Sequence, residues 1–466
     1  MLAATPSDLM AARNQMAFTL GIHIVFACFG VAFPFITLVA HHRGLRKGDA
    51  DALELAKRWS KAMAVLFAVG AVTGTVLSFE MGLLWPGLMG QFGDVFGIPF
   101  AYEGLFFFAE AIFIAIYIYG WRRLKPWPHF WTGVPIVIAG VGGTFSVVAA
   151  NSWMNQPAGF TLLPDGTVTD VSVMDAIFNG ATAYEVPHMF AAAYIVVGFT
   201  VASIYAAGML RGRRDRMHRL GMMIPLTVAS IVIPVQLVIG DFAARAVFED
   251  QPVKFAAQEL VWETGSDQPE VIFGILDEET GEISWGIPIP GGASLLSGFS
   301  TDTVIDGLAE VPEEDRPPAN VVHLAFDAMV FSGTALLALA AWYGFVWWRK
   351  RDLPRTRWFL RAVSVSGLVA VLALESGWIV TEVGRQPWVV HEILRTEDAV
   401  TSSGGLWWWF AGVVVIYATT ITALVVVLRT MSRRWNDAGH REGVRDEAVP
   451  YGPRPRREAA GAEVTD

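Results

Sequence analysis

Long apolar runs separated by short polar connections dominate the chain. Runs of roughly 20 residues recur at 15–40, 61–85, 98–120, 132–153, 185–208, 219–240, 323–348, 358–381 and 405–429. A helix of about 20 apolar residues crosses about 30 Å of hydrocarbon. The pattern therefore predicts an all-α integral membrane protein of about nine transmembrane helices, with a large extracytoplasmic loop between helices 6 and 7. Basic clusters follow the odd-numbered runs: Arg43, Arg46 and Lys47; Arg122, Arg123 and Lys125; Arg211, Arg213 and Arg214; Arg349, Lys350 and Arg351; Arg433 and Arg434. Connections after even-numbered runs lack such clusters. By the positive-inside rule the N-terminus and the long loop lie outside and the C-terminus is cytoplasmic.

Four regions follow. Residues 1–240 carry helices 1–6, 241–322 form the outer loop, 323–430 carry helices 7–9, and 431–466 read as a cytoplasmic disordered tail. Residues 1–14 are expected outside, as a short surface helix. A loop of this length is more than a connector. Its stretch 251–259 can form a surface helix, and its Gly-, Pro- and acid-rich remainder reads as hairpins or flexible loop. No internal repeat points to inverted transporter halves.

Composition adds two constraints. The chain is 53% hydrophobic and 17% charged, and its net charge of −10 conceals the segregation of bases from acids. Cys28 is the sole cysteine, which excludes an internal disulfide, a Cys-ligated iron–sulfur cluster and a CxxCH haem attachment. The first apolar run has no small-residue cleavage site after it and reads as a retained helix.

Of the nine histidines, only His23 and His188 fall within predicted spans. His41, His42, His129, His218 and His440 sit in basic connections or the tail; His323 and His391 lie at outer helix ends. Met329 is six residues beyond His323, about 9 Å deeper along helix 7. His and Met form an axial pair for a low-spin electron-transfer haem, although either residue alone is as readily explained by helix packing. Two embedded histidines are fewer than a haem–copper oxidase or a two-haem cytochrome b requires. Glu103 and Glu110, seven residues apart, share a face of helix 3, and Glu375 and Glu382 repeat that spacing on helix 8. Snorkelling accounts for Glu80 and Glu382 near helix ends, but not for the deeper Glu110 and Glu375, which read as proton-route residues.

Several motifs then coincide in order: Arg13-Asn-Gln-Met-Ala-Phe-Thr-Leu-Gly-Ile-His23; Gly97-Ile-Pro-Phe-Ala-Tyr-Glu103-Gly104 with Glu110; Ala149-Ala-Asn151-Ser-Trp153-Met154; Gly240-Asp241 with Gln251-Pro252 and Lys254 to Glu259; and Gly377-Trp378-Ile-Val-Thr-Glu382-Val-Gly384-Arg385-Gln386-Pro387-Trp388. Over residues 10–430 the sequence resembles the haem-bearing large subunit of cytochrome bd-type quinol oxidases. The resemblance implies a bacterial cytoplasmic-membrane enzyme that oxidises quinol at its outer face and reduces O2 to water with cytoplasmic protons, without a separate pump. It implies two b-type haems and haem d, or a third b haem in its place. His188 and Met329 would ligate the low-spin b haem, and His23 and Glu382 the other two, in an order left open. Glu103 and Glu110 would serve protons, Lys254 and Glu259 the quinol, Arg385 haem propionates, and Trp378 would lie beside the haem pair. A second large membrane subunit, subunit II, and small accessory subunits are the implied partners, with no nucleic acid.

Two features depart from the family pattern or qualify it. Asp327 stands where the family usually has arginine, two residues before the methionine, and the quinol loop is of the short kind. Two other classes compete: a transporter using the buried acids for proton coupling, which leaves the His23, His188 and Met329 grouping unexplained, and an assembly subunit without cofactors.

Overall fold

A computed structural model describes residues 5–354 and 356–440. Among the described residues, nine helices are long and apolar enough to cross a membrane. Spans 1 and 2 are Pro6–Lys47 and Ala50–Leu84, and span 3 ends the helix Pro86–Gly120. Span 4 is Val134–Asn155, preceded by the short helix Pro126–Thr132; spans 5 and 6 are Thr182–Leu210 and Arg216–Asp250. Spans 7, 8 and 9 are Ala319–Lys350, Arg357–Val383 and Leu406–His440.

Local signals set the helix ends. Thr5, Asp49, Asp215 and Thr356 cap spans 1, 2, 6 and 8 by accepting backbone N–H bonds with their side chains. Gly48 ends span 1 in the left-handed region at φ 61°. Gly44 lets span 2 fold back closely, since a Cβ there would lie 2.5 Å from Leu53 Cγ. Prolines 34, 187, 225 and 234 stay inside helices, where neighbouring spans shelter the freed carbonyls.

Span 5 is the hub, wedged between spans 6 and 8. Small residues permit this approach: a Cβ at Gly198 would lie 2.7 Å from Ala229 Cβ, and one at Gly367 2.8 Å from Thr200 Cα. In span 5, 61% of the most apolar window is buried within the chain, against 11% in span 9.

Helix bounds differ from the sequence expectation in three places. Residues 6–14 are the first turns of span 1, not a separate surface helix. Span 6 continues to Asp250, so the loop proper begins at Gln251. Span 9 continues through 431–440, a stretch without proline; residues 441–466 of the expected tail lie outside the described residues.

The loop packs back on the bundle. Its helix Pro252–Glu259 forms as expected, but residues 254–259 are buried rather than on the surface. Phe255, Leu260 and Val261 join Val322 and Val380 in a hydrophobic cluster. Beyond it, Glu270–Ile272 pairs antiparallel with Ile287–Ile289, and Ile275–Leu276 with Ile283–Ser284. The connection after span 8 is tied to the same end: His391 N–H donates to the Met154 carbonyl at 3.0 Å and Arg395 pairs with Asp315.

Candidate functional site

The carboxylates and cations that the sequence scatters meet at the loop end. Glu185, in the first turn of span 5, accepts from Ser152 Oγ at 2.8 Å and Asn155 Nδ2 at 2.9 Å. Asn155 Oδ1, at the end of span 4, accepts from Lys254 Nζ at 3.0 Å and Arg385 Nη1 at 3.4 Å. Arg385 Nη2 donates to Glu382 Oε2 at 2.6 Å, and Asn151 Nδ2 to Glu382 Oε1 at 2.7 Å. A chain of polar contacts thus joins the loop helix, spans 4 and 5, and the end of span 8. Burial, with the Arg385 charge beside it, pushes the Lys254 ammonium down to about 7.

Close packing holds that junction. A Cβ on Gly384 would lie 3.0 Å from Lys254 Cγ, so the family-type Gly384-Arg385 pair admits the lysine stem while aiming the guanidinium at Glu382. Glu382 is held by two donors and does not snorkel. Glu80 is likewise buried, accepting from Gln15 Nε2 at 2.8 Å and Thr19 Oγ1 at 2.5 Å, which corrects its reading as a snorkelling residue.

His23 occupies a separate niche between spans 1 and 2. Its Nδ1 lies 2.9 Å from Thr73 Oγ1, a hydroxyl that also lies 3.0 Å from the Val69 carbonyl and 3.1 Å from the Gly70 carbonyl. Thr73 thus holds the ring through Nδ1 and leaves Nε2 as the nitrogen that can face a ligand. Gly74 makes the niche, since a Cβ there would lie 2.8 Å from His23 Cε1.

His188 makes no hydrogen bond, and its Nδ1 is buried without a partner. It faces Gly240, where a Cβ would lie 3.4 Å from Cε1. Met329 Sδ approaches Gly377, at 3.0 Å from a Cβ built there, next to the half-buried Trp378. An unpartnered buried imidazole is costly unless something ligates it, so these residues suit an iron porphyrin.

Glu259 lies away from the Lys254 junction, five residues along the same short helix. Burial first, then Glu270 and Asp327, raise its carboxyl to about 8. Asp327, the departure from the family pattern, accepts from Phe273 N–H at 2.7 Å. Four residues earlier, His323 Nε2 accepts from Gly274 N–H at 3.2 Å while Nδ1 lies 2.7 Å from the Gln258 carbonyl. Backbone N–H, rather than an arginine, thus faces this acid, and the two side chains fasten the loop corner to span 7.

Glu103 and Glu110 line one face of span 3. Glu110 is 8% exposed, its Oε1 is unpartnered, and it lies 3.6 Å from a Cβ built on Gly30 of span 1. Glu375 Oε2 lies 3.3 Å from a Cβ built on Gly21, so span 1 runs between the two deep acids. His41 and His129, at the basic connections, are buried against Tyr117.

Sequence reading missed Glu185 and Asn155. Glu185 has no spaced partner on its own helix, and Asn155 gave no charge signal. A clue was present: a carboxylate at a helix N-terminus, preceded by asparagine at the end of the previous helix.

The family described as cytochrome bd terminal oxidase subunit I matches residues 11–435. A putative cytochrome bd menaquinol oxidase subunit I of Bacillus subtilis is 36% identical over 85% of this chain and 90% of its own length. A cytochrome bd ubiquinol oxidase subunit 1 of the same organism is 30% identical, over 85% and 86%. The solved bd oxidase of Geobacillus thermodenitrificans superposes with a TM-score of 0.84 at 33% identity, covering 92% of this chain and 98% of that one. With nine spans and this agreement, the class is a multi-pass membrane subunit of a bacterial respiratory oxidase. The chain belongs to the cytochrome bd terminal oxidase subunit I family, haem enzymes of the quinol:oxygen oxidoreductase class that work with a subunit II.

Proposed function

We propose that this subunit oxidises quinol beneath the loop that begins at Gln251 and supports reduction of O2 to water inside the bundle. The observation that carries the reading is the buried junction itself. It joins Lys254 of the loop helix to Glu382 of span 8 through Asn155 and Arg385. His188 with Met329 would hold a low-spin b haem, and His23 and Glu382 would each hold one of the remaining two, b-type and d or a third b. When bound, these haems supply one-electron transfer and the site of O2 reduction. Thr73 holds the His23 ring through Nδ1, Asn151 and Arg385 orient Glu382, and Arg385 adds a cation for propionates.

Lys254 and Glu259 would bind the quinol head, menaquinol or ubiquinol, and Glu259, once its own proton has left to the outside, would pass on the quinol's. Glu110 and Glu103, on one helix face, would hold protons supplied from the basic end. The positive-inside rule puts that end in the cytoplasm and the loop and N-terminus outside. Protons released on one side and consumed from the other generate a proton-motive force without pumping. Subunit II, together with small accessory subunits, would complete the complex.

Lys254→Ala and Glu259→Ala should lower quinol oxidation while leaving the reduced-minus-oxidised spectrum intact, whereas His188→Ala should remove the low-spin band. A wild-type complex without haem bands would instead indicate a transporter.

A further inference from the structure

At the basic end, opposite the junction, a cleft of about 1170 Å³ opens between spans 1, 5, 6 and 7. It exceeds the ordinary range of small-molecule pockets, about 300–1,000 Å³. Phe35, Tyr194, Ile231, Val232 and Ala340 make its wall apolar, and Phe35 and Ile231 are among the exposed hydrophobics of the membrane-spanning surface. Its mouth is cationic, with Arg43, Arg46 and Lys47 lining it. A second hollow of about 280 Å³ shares Met223 and Trp347 with the first and brings in Arg216, Arg219 and Arg351.

These cations fall into two groups. Asp49 pairs with Arg43 at 3.1 Å and with Arg216 at 2.8 Å, and Asp51 lies 3.2 Å from Arg216, so two acids neutralise those two cations in place. Lining the two hollows, Arg46, Lys47, Arg219 and Arg351 have no ion pair and no side-chain hydrogen bond among the described residues. Their charge is available to something outside the chain.

We propose that this cleft binds an anionic phospholipid, with its phosphate at Arg46, Lys47 and Arg219 and its acyl chains along the wall from Phe35 to Ala340. Basic pockets between transmembrane helices suit such headgroups. A free phosphate could use the rim but would leave the apolar cleft uncovered. A zwitterionic lipid would bring its own cation against the unpaired ones. The binding is independent of the proposed quinol and haem roles, since none of these residues belongs to that machinery.

Gly344 supplies the second handle. It lines the cleft, and a Cβ built on it meets no atom within 4 Å. Gly344→Phe should therefore fill the space of the acyl chains without disturbing the rim.

The test uses the intact complex purified in mild detergent. Retained lipids are extracted and identified by mass spectrometry, and thermal unfolding is followed in nanodiscs of phosphatidylcholine with and without phosphatidylglycerol. Wild type should retain phosphatidylglycerol and melt higher in its presence, with no such shift from inorganic phosphate. The triple variant R46Q/K47Q/R219Q and the Gly344→Phe variant should each retain at least about tenfold less, with haem bands intact. Should Gly344→Phe not assemble, the triple variant decides. Equal retention in wild type and triple variant, a shift produced by inorganic phosphate alone, or a copurifying polypeptide helix in the cleft would each overturn the proposal.

Discussion

Replacing Gly74 by alanine tests the His23 niche with one methyl group. The added Cβ would lie 2.8 Å from His23 Cε1 and 3.3 Å from Nε2, whereas ordinary contact begins at 3.4 Å. The ring must retreat by 3.4 − 2.8 = 0.6 Å, stretching its 2.9 Å bond to Thr73. Functional constellations tolerate about 0.5 Å before they fail, so a ligand bond at Nε2 should weaken or break. The helix itself gains, because alanine is favoured over glycine in a helix interior by about 1 kcal/mol. A loss of cofactor therefore cannot be blamed on a weakened span 2. Haem quantitation per polypeptide, with the reduced-minus-oxidised spectrum, should show one high-spin band diminished and the low-spin band retained. Gly70→Ala, one turn earlier, is the control: its Cβ would sit 3.7 Å from Phe26 Cβ, an ordinary contact. Full haem content and an unshifted spectrum in Gly74→Ala would refute the assignment of His23 as a ligand.

Three further outcomes follow from the same geometry. Glu259, raised to about 8, stays protonated in the folded protein while its unfolded form ionises near 4.5. Its contribution to stability should therefore fall as pH rises from 4.5 towards 8, by at most about 1.4 kcal/mol per pH unit, and Glu259→Gln should remove that slope from melting temperatures compared with wild type between pH 5 and 7. Above pH 7 the depressed Lys254 contributes the opposite slope, since its unfolded form still holds a proton that the folded form has lost, so the lower window keeps the lysine out of the comparison. Glu80→Ala leaves the Gln15 amide without its acceptor and should cost about 1–3 kcal/mol, read as a lower melting temperature of the detergent-solubilised complex. Asp327→Ala removes the acceptor of the Phe273 N–H, a charge-assisted bond of about 1.5–3 kcal/mol, and should hasten protease cleavage in the 270–290 hairpins; unchanged cleavage would show that the loop corner is held elsewhere.

What the sequence revealed follows the physics of each level. Spans were legible because hydrocarbon thickness dictates their length, and the helix pattern needs no partner to be seen. His23, His188 and Met329 stood out because imidazoles are scarce in spans and motif order framed them. The Glu185–Asn155–Lys254 contacts were not legible, because they join residues up to 99 positions apart through ends of different helices. Glu80 was misread for the same reason: one helix gives its depth, but its donors, Gln15 and Thr19, come from another. Helix ends also outran the apolar runs at residues 6–14, 241–250 and 431–440, since capping and side contacts extend a helix past the hydrocarbon edge.

The contacts at Glu185 and Glu382 have opposite electrical settings. Glu185 sits where span 5 begins, so the positive pole of that helix favours its charge; Glu382 sits where span 8 ends, facing a negative pole, and needs the Arg385 guanidinium beside it. Neutralising the arginine would therefore unsettle Glu382, its direct partner, more than Glu185, which it meets only through Asn155. The clasp would open from the span 8 side first, as a hinge rather than a collapse.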